Sequence, residues 1–391
     1  MRRILTFLTA IVLLLVSLGV GVFTADLPFW RRAFLLPLPP DGAYLPVATI
    51  GTTSSPPTRG PEPAPALDAL VVEEAASRAG EAGSRALLVR YRDALVVERY
   101  FLTDDASTLL PAALVARPLA AMAVGVALAQ GRIGSLDEPV ARYLPEWDDE
   151  ARGRITLRQL LEETSGLETG GDTRGLPYRS PWSDLKALPA FATSRGVRML
   201  LGNDFESSAL GFQLEHEPGG FYNLSPANTQ IAAVIIERAT GESYEAFVDR
   251  TLWRPVGAGI AELQLDRRAG MPAAHCCWRA TARDMLRVLG LLGTDGAHEG
   301  RAVLPAGWAG EMARASRVSA GTGMQVARLN IEGAEALMIS DDTGSAAWII
   351  PQRQLVILNI TNPGGSAVAD LPAMLLKGID APTAGQPSAG Q

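Results

Sequence analysis

Apolar residues gather in two short runs, RALLVR at 85–90 and ALVVERY at 94–100, separated by Tyr91-Arg92-Asp93. Short β-branched runs broken by a polar step predict a β-hairpin. From Leu114 to Gln130 the chain changes to small apolar residues closed by Gly131, which predicts a buried helix. Pro118 suits that helix only near its first turn, where a missing N–H has no partner to lose, so the helix should begin close to Leu114. Helical segments then alternate with loops over 135–255, notably 156–164, 228–239 and 244–252, and 280–292 adds one more. Three β-rich runs follow from about Gly323, including 346–350 and 355–360, before a helix around 367–376. Strands at both ends with helices between them predict one α/β (α+β) domain over 81–378. In it an antiparallel sheet flanked by helices carries a helical lobe at about 135–255. A cleft is expected between sheet and lobe.

The ends of the chain obey different rules. From Ile4 to Phe23 runs an unbroken apolar stretch preceded by Arg2 and Arg3. At about 1.5 Å per residue it is long enough to cross a hydrocarbon core of roughly 30 Å. A secretory signal is the competing reading, but its apolar region spans about 7 to 15 residues, and Phe23-Thr24-Ala25 makes a poor cleavage site. An uncleaved transmembrane anchor within 1–36 is therefore expected. Arg2 and Arg3 held inside place the rest of the chain on the extracytoplasmic (periplasmic) side, with Arg31 and Arg32 pulling the other way. Residues 27–37 (LPFWRRAFLLP) mix aromatics with arginines and suit the headgroup region or a simple tether. Residues 37–80, rich in Pro, Gly, Ser and Thr up to Pro65, read as a linker, and 379–391 as a disordered tail.

Composition narrows the chemistry. The net charge of −7 comes without a basic cluster beyond short Arg pairs, so no nucleic-acid partner is expected. Lys186 and Lys377 are the only lysines, so a lysine base has to be one of them. Adjacent Cys276 and Cys277 suit neither a zinc site nor a disulfide framework. They read as buried free thiols, with a vicinal disulfide as the other reading. His216, His275 and His298 are scattered, so ordinary polar or helix-end roles are expected for them, with no metal and no cofactor.

Four phrases stand in a telling order: GRIGSLDEPVARYLPEW (131–147), ITLRQLLEETSGLE (155–168), ANTQIAAVIIERATGESYEAFVDRTLWRPVGA (227–258) and ATARDMLRVLGLLGTDGAHEGRAVLPAGW (280–308). Together they resemble the β-lactamase-related serine hydrolases. That group includes class C β-lactamases, D-alanyl-D-alanine peptidases, esterases and 6-aminohexanoate-dimer hydrolases, and the resemblance is nearest to the last. It runs through about 80–375 and implies the β-lactamase/penicillin-binding-protein-like fold, with the active site between sheet and lobe.

The family carries Ser-x-x-Lys at the start of the first core helix, where positions i and i+3 share a face and the lysine reaches the hydroxyl. The resemblance places Leu114 at the serine and Arg117 at the lysine. Leucine has no hydroxyl to attack an acyl carbon and a guanidinium stays protonated, so neither half of the chemistry remains. The family's tyrosine closes a Pro-Gly-x-x-aromatic-x-Tyr phrase that matches 218–224. That match puts Leu224 at the tyrosine, Pro226 at the Asn or Ser that follows, and Tyr222 at a packing aromatic; the other reading makes Tyr222 the functional equivalent, by a shift that breaks the match at Asn228-Thr229-Gln230. A Lys- or His-initiated triplet matches Asp342-Thr343-Gly344, with the Ser345 N–H as oxyanion donor. Asp342 would repel an anion unless Arg117 pairs with it across the emptied site. The two leucines are expected to fill the cleft with apolar volume.

The sequence thus points to a membrane-anchored pseudoenzyme whose cleft keeps a binding or scaffolding role. Arg117, Tyr222, Asn223 and Ser225 are binding candidates on the helix and lobe side, and Asp342, Thr343, Gly344 and Ser345 on the sheet side. The expected ligand is a small molecule, or a peptide or cell-wall fragment. The alternative is an active amidase or esterase with a rearranged nucleophile. Ser183-Asp184-Leu185-Lys186 is itself a Ser-x-x-Lys, although it stands in the loop after 164–167 and not on the core helix. Ser225 and Ser345 have no visible base.

Overall fold

The first strand, β1 (Val47–Ile50), lies inside the stretch read as a linker and pairs antiparallel with Ala261–Gln264. The helix Ala69–Glu81, capped by the Asp68 carboxylate at the Leu70 N–H, also falls in 37–80. The linker is thereby corrected. Both elements are short or only weakly amphipathic and draw their stability from docking, which composition does not reveal. These come from a computed structural model, which describes residues 26–36, 45–52, 67–148, 151–171, 186–362 and 365–380 and the single positions 9, 17, 24 and 184. Residues 381–391 of the expected tail lie outside this set, while 379 and 380 end the helix Leu371–Asp380.

The remaining strands are β2 (Ser84–Tyr91), β3 (Ala94–Tyr100), β4 (Leu110–Pro111), β5 (Ala261–Gln264), β6 (Trp278–Ala280), the hairpin β7 (Ala297–His298) and β8 (Arg301–Ala302), β9 (Ala327–Ile331), β10 (Ala334–Ser340), β11 (Ala346–Ile350) and β12 (Leu355–Thr361). The main antiparallel sheet has six strands in the order β3-β2-β12-β11-β10-β9, joining the two ends of the domain as expected. Its central strand β12 is buried along its whole length. Side chains alternate across it: Val356, Leu358 and Ile360 enter the main core, and Leu355 and Ile357 the opposite one. The helices Ala69–Glu81 and Leu371–Asp380 cover that opposite face.

The main core is built on the central helix Ala113–Ala129, whose residues from Leu114 to Ala127 are all buried except Arg117. A helix apolar on all sides has to be surrounded. Gly125 lets it be: a Cβ there would lie 2.3 Å from the Trp308 ring, whose Nε1 donates to the Ala121 carbonyl at 3.2 Å. The helix Pro226–Thr240 packs on another side and brings the lobe with it. A smaller sheet, β1-β5-β6-β4, leads into the helix through β4.

Residues 27–36 of the stretch read as a headgroup segment or tether are packed on the body, and residue 37 lies outside the described residues. The helix Leu27–Phe34 docks on the lobe with Phe29, Trp30, Arg32 and Ala33 buried. Arg32 donates to the carbonyls of Leu201, Gly202 and Asp266, and Arg198 pairs with Asp26 at 2.7 Å. Among the described residues no helix is long and apolar enough to cross a membrane, and nearly all of the stretch from Ile4 to Phe23 lies outside them.

Candidate functional site

Strand β4 turns directly into the central helix, with the Ala112 N–H donating to the Trp278 carbonyl at 2.8 Å. Leu114 follows, 2% exposed and part of the main core, and Arg117 is partly buried one turn on. Pro118 sits past the first turn, so the Leu114 carbonyl loses its intrahelical donor. The expected partnership of Arg117 with Asp342 is corrected. No ion pair or hydrogen bond joins them, because Asp342 points out to solvent. Arg117 instead acts through space on Glu163, Tyr222 and His275.

Sequence reasoning passes over Glu163, which is the buried carboxyl of the site at 3% exposure. Its Oε2 accepts from the Ser225 N–H at 3.0 Å and from Asn228 Nδ2 at 2.5 Å, and Oε1 accepts from Gln325 Nε2 at 2.7 Å. Burial pushes the carboxyl upward, while Arg117 and these donors oppose the shift. The available signal was the acidic pair Glu162-Glu163 before Thr164-Ser165-Gly166, at the end of the short helix Leu157–Leu161. Gly166, at φ 79°, accepts from the Glu215 and His216 N–H groups and stitches the 215–224 loop to this turn. A Cβ at Gly166 would lie 2.1 Å from the His216 carbonyl, so only glycine fits.

That loop corrects a further expectation. Leu224 is 42% exposed and plugs no buried volume, whereas Leu114 is sealed. The cause is local: Asn223 and Ser225 on either side are pinned inward, which turns Leu224 out. The Asn223 N–H donates to the Glu163 carbonyl at 2.8 Å and its Nδ2 to Leu167 at 2.9 Å, while Ser225 Oγ donates to Glu168 at 2.7 Å. Phe221 is also exposed, its ring tilted 55° against that of His216 with centroids 5.0 Å apart. Tyr222 faces the charged pair. Partial burial and then Glu163 push its phenol upward, against Arg117.

On the sheet side, the Ser345 N–H expected at an oxyanion donates to Asp341 Oδ1 at 3.2 Å. The same oxygen accepts from the Thr343 N–H at 3.0 Å and the Thr343 hydroxyl at 2.6 Å. Asp341, missed in the sequence beside Asp342, has its carboxyl pushed upward by burial, with Thr343 opposing and Asp342 adding. Ser345 Oγ is buried against Thr343 Oγ1 and accepts the Thr361 N–H. Ser183 lies outside the described residues, and Lys186 is exposed, its N–H donating to Asp184 Oδ1 at 3.0 Å.

Cys276 and Cys277 are not free thiols. They form a vicinal disulfide with the sulfurs 2.08 Å apart, in a turn that places Cys277 at φ 64°. His275 beside them is buried, with Nδ1 3.1 Å from Gln230 Oε1 and Nε2 3.3 Å from Cys276 Sγ. Burial, reinforced by Arg117, pushes its pKa down to about 3. Among the described residues no group of three or more His, Cys, Asp or Glu side chains could hold a metal ion. The site therefore gathers a guanidinium, a phenol and a buried carboxyl group, while the hydroxyls of Ser165, Ser225 and Ser345 are each engaged structurally.

A family model described as Beta-lactamase matches residues 69–377. The chain belongs to the beta-lactamase family. This beta-lactamase-family chain is 27% identical over 274 residues to a 6-aminohexanoate-dimer hydrolase of Paenarthrobacter ureafaciens, covering 68% of the chain and 66% of that relative. It is 31% identical over 207 residues to the esterase EstB of Burkholderia gladioli, covering 49% of each. It thus spans less than two thirds of the length of these curated relatives. A D-stereospecific amidohydrolase from Streptomyces sp. shares the fold, with a TM-score of 0.57 at 18% identity over 80% of this chain and 99% of that one.

Proposed function

We propose that this member of the beta-lactamase family has given up acyl transfer and uses its cleft to bind, held at a membrane on the extracytoplasmic side by residues 4–23. One observation carries the reading: at the head of the central helix, where relatives of this type need a hydroxyl with an amine beside it, stands a leucine sealed in the core and followed by Arg117. Arg117, Tyr222 and the exposed Phe221 and Leu224 suit a small molecule or peptide with an anionic group and an apolar part.

The purified chain is expected to take no covalent label from a fluorophosphonate or a fluorescent penicillin. Labelling that vanishes in Ser183→Ala or Ser225→Ala would establish a relocated nucleophile and end the proposal. The combined change Leu114→Ser, Arg117→Lys and Leu224→Tyr returns the hydroxyl, amine and phenol, yet position 114 is sealed and position 224 faces solvent, so labelling is expected to stay absent. Membrane attachment has its own check: the full chain should sediment with membranes and be released by detergent but not by high salt. Recovery in the soluble fraction would remove the anchor.

A further inference from the structure

Beside the start of the central helix, Gln230 fixes more than its own position. Its Nε2 donates to the Pro272 carbonyl at 3.0 Å, and its Oε1 accepts the Ala274 N–H at 2.9 Å. Both partners are backbone groups with one role each, so turning the amide round would set donor against donor and acceptor against acceptor. His275 Nδ1, 3.1 Å from the same Oε1, must therefore carry the ring hydrogen. Nε2 keeps a bare lone pair, and the depressed pKa leaves it unprotonated at neutral pH. That lone pair faces Cys276 Sγ at 3.3 Å. A disulfide sulfur has no hydrogen, so a buried acceptor confronts an atom that can donate only after reduction.

We propose that Cys276–Cys277 is a thiol–disulfide exchange site for small dithiols, and that its reduced form is held by a hydrogen bond from the Cys276 thiol to His275 Nε2. One thiolate of the dithiol attacks Cys277 Sγ, the bond between the two protein sulfurs breaks, and Cys276 leaves as a thiolate that takes a proton from water. The second thiol of the reagent then attacks the reagent's own sulfur in the mixed disulfide. Cys277 departs and is protonated, and the reagent closes to a cyclic disulfide. Two electrons and two protons have passed from dithiol to protein. Both cysteines are partly exposed, so a small reagent can reach them. The backbone is held through the exchange, because the Cys277 carbonyl accepts the Gln264 N–H at 3.2 Å and the next residue begins β6. None of this depends on whether the cleft has lost acyl chemistry.

The test equilibrates the full-length chain in dithiothreitol buffers of graded reduced-to-oxidised ratio, traps thiols with a maleimide and counts adducts by mass spectrometry. The folded protein is expected to pass from none to two adducts while keeping its thermal transition. His275→Ala should need a ratio roughly fivefold more reducing, the effect of one lost hydrogen bond. Independently of that variant, a thiol that donates to a neutral nitrogen resists ionisation, so Cys276 in Cys277→Ser should alkylate with iodoacetamide several-fold more slowly than Cys277 in Cys276→Ser. The proposal fails if the folded chain stays unlabelled in fully reducing buffer, if His275→Ala leaves the midpoint unmoved, or if the two thiols alkylate at equal rates.

Discussion

Leu114 and Leu224 occupy the two places where the family resemblance calls for a hydroxyl and a phenol, yet their surroundings are opposite. Leu114 is closed in by the helix, the strands and the lobe, whereas Leu224 stands 42% exposed on a loop. A position at the head of a buried helix answers to the packing around it, so an apolar replacement there is absorbed into the core. A loop position answers to its neighbours' hydrogen bonds, and Asn223 and Ser225 leave Leu224 outside. One leucine is thus enclosed at the head of the helix and the other exposed on the loop.

The contrast can be broken by stability measurements. Leu114→Ala should lose about 2–5 kcal/mol in denaturant unfolding, the usual loss for a buried leucine, and Leu224→Ala less than about 0.5 kcal/mol. Equal losses would abolish the distinction. Glu163→Ala comes next. It strands the Ser225 N–H and the amides of Asn228 and Gln325 inside the protein, and should lose about 2 kcal/mol or more, while Tyr222→Phe on the rim stays within about 1 kcal/mol. A Glu163→Ala variant as stable as the parent would mean that these donors find other partners.

A further effect concerns pH. The folded chain holds His275 near 3, well below the ordinary histidine value, so under acid the unfolded chain takes up a proton that the folded chain refuses. This contribution is complete above pH 6.5 and is lost as the pH falls toward 3, at no more than about 1.4 kcal/mol per pH unit. Glu163 has the opposite sign: its raised carboxyl favours the folded state most in acid and less as the pH climbs through its folded pKa. Unfolding free energies between pH 4 and 7 should therefore fall more steeply toward acid in the parent than in His275→Gln. Parallel curves would show that the ring does not stay neutral.

The framework was legible because its signals are local. The β2–β3 hairpin, the central helix and the terminal strands carry their periodicity in a few consecutive residues. The strand β1 and the docked helix Leu27–Phe34 were not, since what stabilises them is remote: β1 needs β5, and Arg32 needs carbonyls on Leu201, Gly202 and Asp266. At the site, the changed residue types at Leu114 and Arg117, on an unchanged i, i+3 spacing, stood out against the family resemblance. Glu163 and Asp341 each stand in an acidic pair in a polar turn, and only folding shows which member is buried and enclosed by donors. The disulfide depends on the left-handed backbone at Cys277, which no residue type announces.

Arg32 and Phe29 clasp the lobe, so residues 26–36 join the body on the lobe side, with Asp26 held there by Arg198. A pull applied at Asp26 would therefore load the lobe before the sheet, and breaking the Arg32 contacts would free residues 26–36 without altering a single group at the site.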